Sequence, residues 1–141
     1  MQTKFSALTI AYIAILITFG VLDGLWLGVI AMPWYQSAFE ELLREPFITW
    51  PWITFYLLYG LAVVYLAVKP NIGNVKSSFL AGAALGATAY GTYNLTGYSI
   101  IEGWPLNMTM IDWTWGTVAT AINGFAGAAA ANWWLRRRSK T

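Results

Sequence analysis

Few side chains in this sequence carry chemistry, and they cluster by helical spacing. Asp23 stands inside an apolar run from Ser6 to Ile30, with Trp26 one turn further on. A carboxylate at mid-membrane depth costs about 2.5–3.5 kcal/mol and faces a protein interior or a water-filled cavity. Tyr56 and Tyr59 share a helical face at i,i+3 spacing, as do Tyr90, Tyr93, Asn94 and Tyr98 in a later run. Trp52 opens the second apolar run, and Asp112 and Trp115 open the last. A buried phenol needs a hydrogen-bond partner, so the tyrosines at one depth suggest a shared polar network around Asp23. No Lys or Arg lies within an apolar run to pair with that carboxylate. Its partners are therefore hydroxyls, Asn94, water or a ligand. These eleven residues form the expected site. Its chemistry is that of holding the polar end of a molecule, or of carboxylate–tyrosine proton transfer.

The chain has no Cys and no His. Disulfides, thiolate nucleophiles, histidine-ligated metals and haem, and Ser-His-Asp catalysis are excluded. No cofactor and no metal are expected. A net charge of +2 is too small to point to nucleic acid. The composition, 58% hydrophobic and only 10% charged, leaves too little polar surface to coat a water-facing globule.

These residues must be positioned by membrane-crossing helices. Four stretches, 6–30, 47–68, 77–101 and 111–135, reach the roughly 20 apolar residues that a span requires. Backbone polar groups in lipid must be satisfied internally, so each is read as a helix. The expected fold is an all-α, single-domain integral membrane four-helix bundle. The first span is too long for a signal-peptide core and is read as retained. Lys4, Lys69, Lys76, Arg136, Arg137, Arg138 and Lys140 fall on one side, and only Arg44 falls on the other, among Glu40, Glu41 and Glu45. Positive charge stays inside, which places both termini in the cytoplasm. The basic tail reads as a topology anchor on anionic lipid.

With that orientation the rings, hydroxyls and carboxylates lie in the outer half, and the inner half holds Ala81–Ala84 and Gly127–Ala131. Small residues let helices approach closely. The expectation is a closed inner half and an aromatic, polar cavity opening outward. Trp34, Trp50, Trp104, Trp113, Trp133 and Trp134 read as membrane-interface belt residues. Gly20, Gly24 and Gly28 form one small-residue stripe and Gly82 and Gly86 another; either could be a dimer face or an internal helix contact, and internal packing is the favoured reading for both because a four-helix bundle needs close crossings. Asp112 reads as a cap on the fourth helix.

Asp23-Gly-Leu-Trp26-Leu27-Gly28, Phe55-Tyr56-Leu57-Leu58-Tyr59, Ala89-Tyr90-Gly91-Thr92-Tyr93-Asn94-Leu95-Thr96, Trp104-Pro105 and Asp112-Trp113-Thr114-Trp115-Gly116 together resemble the domain of unknown function 2177 family. The resemblance runs over nearly the whole chain. It implies a small four-helix protein of the bacterial inner membrane and supplies no activity.

Three functions compete. The first is binding or transport of a lipophilic or amphipathic small molecule in the outer cavity around Asp23. The second is a structural or accessory subunit of a larger membrane complex, with Asp23 as a tie between helices. The third is a lipid-modifying enzyme with Asp23 as acid or base. The partners expected are the lipid bilayer, such a small molecule, and a membrane-complex partner or a second copy. The strong charge bias opposes dual insertion, so a homo-oligomer would be parallel.

Overall fold

The computed structural model describes residues 2–140. The described residues are helical with no strand. Five α-helices succeed one another: α1 (Gln2–Leu25), α2 (Met32–Ala38), α3 (Trp50–Val63), α4 (Val75–Ile100) and α5 (Leu106–Arg138). A wider π-helical turn, Trp26–Ile30, prolongs α1, and another, Val64–Val68, prolongs α3 before a 3₁₀ turn at Lys69–Asn71. Pro51 sits in the first turn of α3, where its missing N–H costs nothing. Asn74 caps α4 by accepting the Ser77 backbone N–H at 3.0 Å. Arg136, Arg137 and Arg138 lie in the last turn of α5, the favourable end for cations.

The helix ends depart from the sequence expectation most at α5, which begins at Leu106 rather than near 111. Pro105 takes the cap position, and Asp112 falls in the second turn. Asp112 is therefore not the cap expected of it. The short helix α2 is an addition that hydropathy does not signal, because its run is only seven residues long.

Packing follows a four-residue repeat. On α1 the buried residues are Ala7, Ala11, Ile15, Phe19 and Asp23. On α4 they include Ser78, Gly82, Gly86, Tyr90 and Asn94. On α5 Gly116, Thr120, Gly124 and Ala128 continue the row that Asp112 begins. Residues four apart stack on one helix face, so each row is a ridge along its helix. The most extensive pairing is α4 with α5, followed by α1 with α5.

At the α4–α5 crossing the backbones nearly touch. A methyl group on Gly82 would stand 2.5 Å from the Thr120 carbonyl oxygen, and one on Gly124 would stand 2.3 Å from that of Ser78. The Gly82–Gly86 stripe is thus an internal contact. The Gly20–Gly24–Gly28 stripe is not: nothing lies within 4 Å of where their side chains would be. The adjacent row, Ile15–Phe19–Asp23, is buried instead, because it has apolar area and a carboxylate to bring inside.

The opposite face of α1 exposes Ile13, Ile17, Val21, Leu25 and Val29, again four apart. Lys4–Ile30 and Trp50–Asn71 are long and apolar enough to cross a membrane, and only 22% and 33% of their most apolar windows is buried within the protein. Such stripes suit lipid rather than water.

Candidate functional site

Three of the ridges end in a polar side chain at the same end of the molecule: Asp23 on α1, Asn94 on α4 and Asp112 on α5. Each carboxylate is held by donors from other helices. Asp23, 8% exposed, accepts the Tyr56 hydroxyl of α3 and the Trp115 indole N–H of α5, the latter at 3.0 Å. Asp112 accepts the Tyr93 hydroxyl, the Asn94 amide at 2.6 Å and the Tyr35 hydroxyl of α2 at 2.5 Å. The Trp26 indole N–H donates in turn to the Tyr35 oxygen at 3.3 Å. Trp26 lies flat on Trp115, with ring centroids 4.4 Å apart and planes within 5°. The two hydrogen-bonded clusters meet through the ring contact of the stacked indoles, and between them they draw on all five helices.

Hydrogen bonds to charged acceptors contribute about 1.5–3 kcal/mol each. The two donors on Asp23 therefore offset an insertion cost of about 2.5–3.5 kcal/mol without any counter-ion. The Asp23 carboxylate ties α1 to α3 and α5; of the partners expected from sequence a hydroxyl, that of Tyr56, serves it, whereas Asn94 serves Asp112. Tyr35 lies outside the long helices. Burial, and its hydrogen bond to the Asp112 carboxylate, push its phenol well above the usual range.

Between these groups lies a cleft of about 410 Å³. Of the residues expected from sequence, Asp23, Trp26, Trp52, Tyr56, Tyr90, Tyr93, Asp112 and Trp115 line it. Leu27, Tyr35 and Phe55 complete the wall. Tyr59, Asn94 and Tyr98 do not line it. Tyr59 turns to the Thr120 hydroxyl at 2.8 Å, deeper between the helices. Asn94 stands behind Asp112, donating also to the Tyr90 carbonyl at 3.0 Å. Tyr98 remains half exposed. The tyrosines thus do not form the one shared network expected of them; Tyr56 and Tyr93 serve different carboxylates. Tyr35 is the site residue that spacing could not reveal, since it lies on a separate short helix.

A second cleft, of about 480 Å³, shares Asp23, Leu27, Trp52 and Tyr56 with the first and runs along Gly20, Gly24 and Gly28. The bare glycine stripe is its floor.

Two tryptophans assigned to the interface belt are structural wedges. The Trp113 ring fills the notch at Gly91 and donates to the Ala87 carbonyl at 2.8 Å. The Trp104 ring packs on Gly97, where a methyl group would meet it at 2.9 Å. Trp34, Trp50 and Trp133 are exposed. Among the described residues no cluster of His, Cys, Asp or Glu could hold a metal ion.

The sequence profile of the domain of unknown function 2177 family, whose description is "predicted membrane protein", matches residues 8–129. The matched stretch contains both aspartates and every residue of the cleft wall. No curated protein and no solved structure matches the chain.

Proposed function

The chain belongs to this family of predicted membrane proteins, and from that premise we propose that it binds or transports a lipophilic or amphipathic small molecule in the cleft around Asp23. The protein is a single-domain, four-span protein of the bacterial inner membrane, with α1, α3, α4 and α5 as the spans and both termini cytoplasmic. The bias of Lys and Arg toward the termini and the α3–α4 connection supports that orientation. The cleft then opens toward the outer side.

The observation that carries the reading is the cleft itself. A space of about 410 Å³ walled by Trp26, Trp52, Phe55, Tyr90 and Trp115, with two carboxylates and three phenols at chosen points, has the make-up of a small-molecule site. The neighbouring cleft shares Asp23, Leu27, Trp52 and Tyr56 as wall residues and runs along Gly20, Gly24 and Gly28, where nothing lies within 4 Å of the missing side chains. That supports side entry from the bilayer and a ligand with an apolar portion.

The test is to record native mass spectra of the wild type and Asp23→Asn, both released from mild detergent. The expected result is a discrete non-bulk adduct on the wild type that the variant lacks. Bulk lipid alone on both would sink the reading. It would favour an accessory role in a larger complex, for which the internal satisfaction of Asp23 by Tyr56 and Trp115 is the supporting observation.

A further inference from the structure

Resting on that binding reading, we infer that the ligand is an organic cation: an amine or quaternary ammonium whose charged end sits between Asp23 and Asp112 against the indole walls. Two carboxylates face one cleft, and among the described residues no Lys or Arg lines it. A carboxylate offers about four acceptor positions. Asp23 uses two and Asp112 three, all on uncharged donors from the protein. Acceptor capacity thus remains on both carboxylates that line the cleft, and the protein supplies hydrogen bonds there from uncharged donors only. Two carboxylates sharing one cleft repel each other when both are ionised, and a cation seated between them relieves that repulsion while a proton on one of them is the only alternative within the site.

The walls suit the same ligand. Trp26 and Trp115 are stacked, and Trp52 and Tyr90 add further ring surface. Ring faces attract a desolvated ammonium, indole most strongly. An anionic ligand would find two carboxylates and no cation. A neutral one would not relieve the repulsion between the carboxylates.

The experiment places the full chain in nanodiscs of zwitterionic phosphatidylcholine and measures binding of dodecyltrimethylammonium and the chain-matched, net-neutral dodecyldimethylamine oxide, with empty discs subtracted. The wild type is expected to prefer the cation by at least about tenfold. Asp23→Asn and Asp112→Asn should each lower the ratio of cation to amine oxide binding. Trp52→Phe, at a half-exposed position, carries no folding risk from a lost buried polar group. It should weaken the cation several-fold and the amine oxide little. Equal binding of both probes by the wild type overturns the cation assignment and leaves the binding reading standing. Cation preference unchanged in all three variants also overturns it, because the charge would be read elsewhere. Binding of neither probe above empty discs overturns both readings.

Discussion

Asp112 owes its place to three donors from two other helices, and removing one leaves a carboxylate under-satisfied inside the molecule. Asn94, 2% exposed, is the most buried of them. Asn94→Leu is expected to lower stability by about 1–3 kcal/mol, read as the shift in the unfolding midpoint in nanodiscs. An unshifted midpoint would show that Tyr35 and Tyr93 suffice. Ser78 presents the opposite case. Its hydroxyl is fully buried and has no hydrogen-bond partner among the described residues. Ser78→Ala should therefore be neutral or stabilising by up to about 1 kcal/mol in the same assay, since it removes an unmet polar group. Spacing identified Asp23, Tyr56, Asp112 and Trp115 as candidates, but not which carboxylate each donor serves. Spacing measures position along one helix, and these bonds run between helices.

At the scale of the element, the glycines divide by what lies opposite them. Gly116 receives the Tyr90 ring, and a methyl group there would fall 1.9 Å from the ring carbon Cγ. Gly124 abuts the Ser78 carbonyl oxygen, which belongs to a helix backbone and cannot turn aside. Gly116→Ala and Gly124→Ala should each destabilise by about 1–3 kcal/mol or more through overpacking. Gly20→Ala and Gly28→Ala meet open space. They should be neutral or stabilising by about 0.5–1 kcal/mol, the helix preference of Ala over Gly. One unfolding series in nanodiscs checks all four, and a loss at Gly20 as large as at Gly124 would contradict the packing described. Both stripes carry the same small-xxx-small spacing in the sequence. Only the identity of the facing surface separates them, and that is set by how α1 rotates to bury Ile15, Phe19 and Asp23.

For the whole molecule, the absence of native cysteine provides a clean topology assay. Ser37 on α2 and Ser139 beyond α5 are both exposed. With both termini inside, Ser37→Cys should react with a membrane-impermeant maleimide in intact cells, and Ser139→Cys only after permeabilisation. Labelling of Ser139→Cys in intact cells would reverse the orientation. The lower apolarity of α4 and α5 has a packing reason: their mutual face is built of Gly, Ala, Ser and Thr. Close approach of backbones uses small residues, which contribute little hydropathy.

What the sequence by itself determined is what depends on composition and on order along one chain. A sparsely charged, aromatic-rich chain with long apolar runs dictates helices and a membrane setting. The lack of Cys and His removes thiol and imidazole chemistry whatever the fold. The lone carboxylate in the first run had to find hydrogen-bond partners on other helices, because burying it without them is too costly. The tertiary structure decided which surfaces meet. It made the α4 glycines a crossing and left those of α1 as the floor of a cleft. It turned Trp104 and Trp113 inward as wedges, started α5 early enough to bring Asp112 into the second turn, and carried Tyr35 to that carboxylate. The reason is physical: hydropathy and periodicity act locally along the chain, whereas a hydrogen bond between helices or a fitted contact depends on their rotation and offset, which the packing of the whole molecule settles.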